Sequence, residues 1–353
     1  MPVVEVPEGY TALVKGPSRV KCPGGCRVFG GIFHGFEVPP RKQYPVEGPA
    51  SIVLESGAVE FVRGSTIPPD WRVELEGVVA LAGPVDSGKS SLSTYLVNLH
   101  AGAGKRACVI DADVGQSDIG PPGFVTLSCT SAPVPHISEL EPQDGYYVGS
   151  ASPHGVEELL TAGVVQCLRR AAAQHPHLVV INTPGWVTGR GLQLLRALVD
   201  ATGARVISIG GALLRGITVS RPQHVLPRGL HDRRELRNYA YRRHLKLALA
   251  AEADHSDLTL CEWRGALECP WGTYAAADVS EPQRRGRERV VPRHYLRYLL
   301  AALYKEERLA GYGIVERLEP RVALRATTAD FDEVRVGRIR VDPQSLEELE
   351  PLP

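Results

Sequence analysis

The 353-residue chain predicts an α/β fold with a doubly wound, mostly parallel sheet, flanked by small β-rich N- and C-terminal domains. Three observations carry that expectation. From Gly77 onward, short continuous apolar runs alternate with longer stretches of helical periodicity, the pattern of buried parallel strands and their crossover helices. A glycine-rich loop joins the first of these runs to the first helical stretch. On either side, the apolar residues alternate in short segments between glycines and prolines, which is small β-domain patterning.

In chain order, residues 1–72 read as an N-terminal β-rich domain, with alternating runs at 3–6, 11–14, 51–54 and 59–62. Residues 73–256 read as the central domain. Its strands are expected at 78–82, 107–110, 146–148, 178–181 and 205–209, and its helices from Lys89, over 154–173 and over 191–201. Residues 257–353 read as a mostly β C-terminal domain, with a basic, helix-like segment over 293–304 and alternating runs at 313–315, 322–324 and 334–341.

Composition narrows the function classes. Hydrophobic residues at 43% and charged residues at 23% are those of an ordinary globular protein, and no apolar run approaches the length of a membrane helix. The N-terminus lacks the basic start and apolar stretch of a secretory signal, so a cytoplasmic protein with no membrane association is expected. Seven cysteines, an odd number in a long chain, imply reduced thiols rather than a disulfide framework. Cys22 and Cys26, spaced one residue wider than a common zinc knuckle, read as either a metal pair or a plain turn. Lys+Arg and Asp+Glu balance at 40 each, so overall charge does not mark a nucleic-acid binder. The distribution is uneven. Nine basic residues lie between Arg215 and Lys246, and a second basic run holds Arg284, Arg285, Arg287, Arg289, Arg293 and Arg297. Such runs are either solvated faces or anion sites.

The strongest chemical signal is the loop Gly83, Pro84, Val85, Asp86, Ser87, Gly88, Lys89, Ser90 and Ser91, which satisfies G-x-x-x-x-G-K-[ST] between a buried strand and an amphipathic helix. Its glycines let backbone N–H groups turn in around a phosphate, and the helix N-terminus adds its dipole. Lys89 then reaches the β and γ oxygens of a nucleoside triphosphate, and the Ser90 hydroxyl ligates Mg²⁺. The next apolar strand runs into Asp111-Ala112-Asp113, followed by Gln116. Carboxylates at i and i+2 leave a strand end on the same side, so one could serve the metal and the other accept a proton. A third strand ends in Asn182-Thr183-Pro184-Gly185-Trp186, and Trp186 is either packing or a platform on which a base stacks. The fourth segment holds Arg228, Arg233, Arg234 and Arg237. Arg233 and Arg237 share a helix face, where like charges cost stability unless an anion lies between them.

Together these segments resemble the family of polynucleotide 5′-hydroxyl kinases that includes the RNA kinase of tRNA-splicing and pre-mRNA 3′-cleavage machineries, ribosomal-RNA-processing kinases and archaeal relatives. The elements G-P-x-D-S-G-K-S, D-x-D-x-G-Q, N-T-x-G-W-V-x-G-x-G and R-x-x-x-x-R-R-E-x-R carry the resemblance over residues 75–250, and Gly149 to Pro153 is similar to an S-P element of that family. The resemblance implies a P-loop NTPase domain that transfers the γ-phosphate of ATP or GTP, with Mg²⁺, to the 5′-hydroxyl end of RNA or DNA in RNA processing. By residue, it implies that Lys89 orients the triphosphate and Ser90 binds the metal. Asp113 acts as general base, and Asp111 and Gln116 support metal or water. Thr183, Gly185 and Trp186 clasp the terminal nucleotide, while Arg228, Arg233, Arg234 and Arg237 form a lid over substrate and donor phosphates. Two other readings stand beside it: a catalytically silent ATP-binding scaffold of an RNA-processing complex, and another P-loop enzyme such as a small-molecule kinase or GTPase. No N-K-x-D guanine-recognition element occurs in the chain.

Overall fold

In the computed structural model, residues 2–286 and 288–353 are described; Arg287 of the second basic run lies outside them. The chain divides into two compact units. One holds the chain through Asp113 with Thr126–Gln143 and Val164–Leu236; the other holds Val114–Val125, Asp144–Gly163 and Arg237–Pro353. The architecture is a mixed α/β centre with a parallel sheet, preceded and followed by β-rich segments, as the sequence predicts.

The N-terminal strands of the first unit are β1 (Val3–Val6), β2 (Tyr10–Lys15), β3 (Ser18–Val28), β4 (Gly31–Val38), β5 (Gln43–Glu47), β6 (Ala50–Leu54) and β7 (Ala58–Arg63). They form one sheet in the order β1-β6-β3-β5-β2-β7, with β4 on β3. Alternation along them sends Val14, Val20, Val28, Tyr44, Val46 and Ile52 into a shared core. Cys22 and Cys26 are buried in that core and bonded to each other. They flank the point in β3 where pairing with β4 slips between Lys21 and Cys26, so Pro23-Gly24-Gly25 bulges out.

The following strands are β8 (Gly77–Ala82), β9 (Ala107–Asp111), β10 (Phe124–Thr130), β11 (Asp144–Tyr147), β12 (Leu178–Asn182), β13 (Arg205–Ile209) and β14 (Ile217–Val219). In the first unit they order as β10-β9-β12-β8-β13-β14. Neighbours are parallel except β9 and β10, which are antiparallel. Every residue of β9 and β12 is buried, which is why these strands read as unbroken apolar runs. Helix α1 (Lys89–Gly102) lies against β8, β9 and β12 and buries Leu92, Tyr95 and Leu96, whereas Leu99 is exposed. Helices α2 (Glu157–Ala172) and α3 (Arg190–Thr202) fall on the expected stretches, and α3 stops at Gly203, whose φ of 64° accommodates the left-handed turn. Strand β10 was not among the expected strands, because its buried residues follow a Pro-Pro-Gly break without clear alternation.

The second unit contains two sheets. Strands β15 (Leu249–Ala253), β16 (Leu258–Thr259), β22 (Leu299–Lys305), β23 (Arg308–Arg317), β24 (Val322–Ala326) and β25 (Glu333–Arg340) order as β15-β24-β23-β22-β25-β16. Strands β17 (Glu262–Trp263), β18 (Leu267–Cys269), β19 (Gly272–Ala277), β20 (Gln283–Arg285) and β21 (Glu288–Pro292) order as β17-β18-β19-β21-β20. The helix expected over residues 293–304 does not form. Arg293–Leu296 makes a single 3-10 turn and β22 begins at Leu299. Arg293 and Arg297 carry helical spacing, but residues 299 to 304 are buried on both faces as a central strand, an environment that apolar periodicity alone does not separate from a buried helix.

The expectation of reduced thiols is also overturned. Disulfides join Cys22–Cys26, Cys108–Cys129 and Cys261–Cys269, and Cys167 is buried outside any disulfide. Sequence parity is silent about pairing, whereas β9 and β10 place Cys108 directly opposite Cys129. Alkylation of the unfolded, unreduced protein is therefore expected to label one cysteine per chain, and seven after reduction. Replacing Cys108 and Cys129 together by alanine should lower unfolding stability by about 3 kcal/mol, the value expected for a closed loop of this length.

Candidate active site

The site is organised by strand register. Asn182 at the end of β12 stands opposite Leu81 of β8 on one side and Asp111 of β9 on the other. The three strands are parallel, so the loops after Ala82, Asp111 and Asn182 leave the same edge, where open α/β sheets bind their ligands.

At the end of β8 the chain turns through the glycine-rich loop. Asp86 has φ of 56° and Gly88 φ of 97°, an alternation that turns successive N–H groups toward a common centre. Gly88 also caps α1, and a Cβ there would meet the Pro222 ring at 2.9 Å. The Lys89 ammonium folds back over the loop and donates to the Gly83 and Pro84 carbonyls at 2.9 and 3.0 Å. Ser87 Oγ is buried without a hydrogen-bond partner among the described residues. Ser90 and Ser91 begin the helix and are half-buried, while Pro84 and Val85 are exposed on the loop's outer side.

Asp111 is fully buried, and its Oδ1 accepts from Asn182 Nδ2 at 3.0 Å and from the Asp113 backbone N–H at 3.3 Å. Asp113 is half-buried. Gln116 belongs to the second unit and donates to its neighbour's carbonyl, Gly115 O, at 2.6 Å.

In the third loop, Thr183 turns its hydroxyl into the sheet and donates to Leu81 O at 2.6 Å. This bond fixes the loop to β8. Gly185 packs on the phosphate loop so closely that a Cβ would come within 2.8 Å of Val85 N. Trp186 is half-buried, its indole lying over Gly191, where a Cβ would meet the ring at 2.4 Å.

The arginine segment converges on Asp86. The Asp86 carboxylate accepts from the Arg228 backbone N–H at 3.2 Å and faces Arg233 Nη2 at 3.8 Å, while its carbonyl accepts from Arg221 Nη2 at 2.8 Å. The Nε atoms of Arg228 and Arg233 are buried and have no hydrogen-bond partner among the described residues. Buried donors on a cation are costly unless an acceptor reaches them, and anionic oxygens suit both. Helix α4 (Leu230–His244) carries Arg233 and the exposed Arg234, and Asp232 and Glu235 on it pair with Arg41. Arg237 lies in the second unit, where Nε and Nη2 form a bidentate pair with Glu348 at 2.7–3.1 Å.

Several residues at this edge carried no sequence signal. Trp71 is fully buried and donates to Ser220 O at 2.9 Å, and the Asp70 carboxylate accepts from both the backbone N–H and the hydroxyl of Ser220. These bonds seat the segment 220–222 against Gly88, beside a cleft lined by Gln43, Trp71, Ser91, Pro222, His224 and Arg228.

The donor set fits a hard cation. Ser90 and Asp111 supply only oxygen, and no group of three or more His, Cys, Asp or Glu side chains is placed to cage a metal among the described residues. Mg²⁺ is bound in this way, by one or two protein oxygens with phosphates and water completing its shell.

Comparison with known proteins agrees with this geometry. Residues 83–246 match the family described as mRNA cleavage and polyadenylation factor CLP1 P-loop. A polyribonucleotide 5′-hydroxyl-kinase of Thermococcus kodakarensis is 27% identical, over 80% of this chain and 95% of its own. A second, from Pyrococcus furiosus, is 25% identical over 74% of this chain and 87% of its own. A CLP1 homolog of Arabidopsis thaliana is 30% identical over 65% of this chain and 59% of its own. Among solved structures, a chain from a Clp1p–Pcf11p complex superposes with a TM-score of 0.66 at 13% identity, covering 96% of this chain and 97% of that one, which shows a shared fold. No helix among the described residues is long and apolar enough to cross a membrane. Residues 83–246 thus belong to the CLP1 P-loop family, a nucleotide-binding element, and most of the chain is similar to polyribonucleotide 5′-hydroxyl-kinases and CLP1 homologues.

Proposed function

We propose that this protein is a Mg²⁺-dependent polynucleotide 5′-hydroxyl kinase that transfers the γ-phosphate of ATP or GTP to the 5′-hydroxyl end of RNA, with DNA as a second acceptor. The observation that carries the proposal is the pair of buried, unpartnered Nε donors on Arg228 and Arg233, tied to the phosphate loop through Asp86. That arrangement asks for the anionic oxygens of a transferring phosphoryl group. A loop that merely bound a nucleotide as a structural element would not require it.

The geometry supports the following roles. Lys89 exchanges its bonds to the Gly83 and Pro84 carbonyls for oxygens of the β- and γ-phosphates. Ser90 and Asp111 would hold Mg²⁺, which neutralises charge on the phosphates when bound. Asp113 takes the proton of the attacking 5′-hydroxyl, whose oxygen forms the new P–O bond as the nucleoside diphosphate leaves in line. Arg228 and Arg233 stabilise the equatorial oxygens, and Trp186 stacks on the terminal base. The names of the Thermococcus and Pyrococcus relatives support the acceptor assignment. One observation favours a second reading, a silent nucleotide-binding scaffold: Arg237 is occupied by Glu348.

Transfer of labelled γ-phosphate from ATP or GTP to a 5′-hydroxyl RNA oligonucleotide tests the proposal directly, and labelling of the 5′ end that disappears in Lys89→Ala is expected. Nucleotide binding without any labelling would leave the scaffold reading. Asp113→Asn should reduce turnover by about 10²–10⁴-fold with nucleotide affinity retained, the range for loss of a general base; near-normal turnover would remove Asp113 from that role. Trp186→Ala should weaken oligonucleotide binding by about 1–3 kcal/mol while leaving ATP binding unchanged, as measured by fluorescence titration. Equal losses for both ligands would make Trp186 a packing residue. Gly88→Ala places a side chain at φ of 97° against Pro222, so ATP should raise the Tm of the parent protein and not that of this variant.

A further inference from the structure

Away from the loops described above, the second unit contains a cavity of about 270 Å³ lined by Ser150, Ser152, Arg237, Arg338, Arg340 and Glu348, among others. Two glycines adjoin its lining residues Ser150 and Arg338. Gly149 and Gly337 approach so closely that a Cβ on Gly337 would lie 2.3 Å from Gly149 Cα, and Arg338 N–H donates to Gly149 O at 2.9 Å. The loop after β11 is thereby seated on β25, presenting Ser150 to the Arg338 guanidinium.

Arg338 is unusual in its company. Its Nη2 donates to Ser150 Oγ at 2.8 Å and to His154 O at 3.2 Å, and its guanidinium lies 5.6 Å over the Trp271 ring. Nε and Nη1 have no partner, and no carboxylate lies within 4.0 Å, among the described residues. Burial pushes its pKa below the ordinary value, and the nearby like charge of Arg289 acts in the same direction, against Tyr274. Arg289 itself donates to Trp271 O at 3.0 Å and packs over Tyr274, again with no carboxylate partner among the described residues. The other two arginines at the cavity are accounted for. Arg340 gives Nε, Nη1 and Nη2 to the carbonyls of Arg297, Glu350 and His294, and Arg237 is held by Glu348 with Nη1 left over. Three arginines therefore line the cavity against one carboxylate, with serine hydroxyls beside them. A partly desolvated guanidinium beside a like charge and without a counter-ion is costly, and an anion offering several oxygens to its free edge removes that cost.

We propose that this cavity binds a phosphodiester of the polynucleotide acceptor, with Arg338 as the principal contact and Ser150 and Ser152 as its polar frame. The assignment rests on the polynucleotide reading given above. It concerns positioning of the strand rather than the transfer itself. Phosphate contacts of this kind set register and affinity without reading sequence.

The test compares the full-length protein with Arg338→Gln and Arg338→Lys, titrated with ATP and with 5′-hydroxyl RNA of eight nucleotides over a range of salt. Arg338→Gln should bind the RNA about ten-fold or more weakly. The slope of log affinity on log salt should be shallower by about 0.7, the share of one phosphate on a single strand. ATP affinity should be unchanged. Arg338→Lys should keep the slope while losing part of the affinity, which a merely structural role would not produce. Unaltered RNA affinity and slope in a folded Arg338→Gln protein would overturn the site while leaving the kinase proposal standing. Equal losses of RNA and ATP affinity would also overturn it, assigning the cavity to free phosphate compounds. Failure of the parent protein to bind RNA at all would overturn both proposals.

Discussion

Parallel register at the ends of three strands is the constraint on which the nucleotide-binding edge depends. Asn182, in line with Leu81 and Asp111, is more than a strand terminus. Its amide orients the buried Asp111 carboxylate, its backbone carbonyl accepts from Ala112 N–H, and the next residue, Thr183, bonds across to Leu81 O. A slip of one residue in β12 would break these bonds together and turn every side chain of the strand to the opposite face. The unbroken apolar composition of β8, β9 and β12 makes the register affordable, since burial on both faces holds the strands while their ends stay polar.

Charge at this edge is arranged around Asp86. An acidic residue within a phosphate-binding loop repels the ligand the loop is built for, yet here it accepts from Arg228 and faces Arg233. The carboxylate thus keeps two cationic residues close to the loop before any phosphate arrives. The N-terminal segment contributes through Asp70 and Trp71, which hold residues 220–222 over Gly88, and through Arg41, which pairs with Asp232 and Glu235 at the start of α4.

Much of this was legible in the sequence because it depends on local rules. The phosphate loop needs its glycines and lysine at fixed spacing, the buried strands need continuous apolar runs, and α3 needs a glycine where it stops. What escaped notice depends on partners far apart in the chain. Trp71 and Ser220 are separated by 149 residues, and Arg237 and Glu348 by 111, and no spacing rule joins either pair. The Cys108–Cys129 disulfide escaped for the same reason: the two become neighbours only when β10 folds back antiparallel on β9. Residues 293–304 failed for a different reason. Their apolar run fits helix and central strand alike, and the sheet between β23 and β25 decides.

The position of Lys89 has a thermodynamic corollary. Its ammonium already holds two carbonyls of its own loop, so an arriving phosphate competes with existing acceptors for those donors. Much of the gross electrostatic enthalpy of that encounter therefore cancels, and the donor's net affinity reads the small difference between neutral and anionic acceptors. A site tuned in this way can release a bound nucleotide without stripping a bare cation. Entry and departure of a nucleotide then draw on the same side chain.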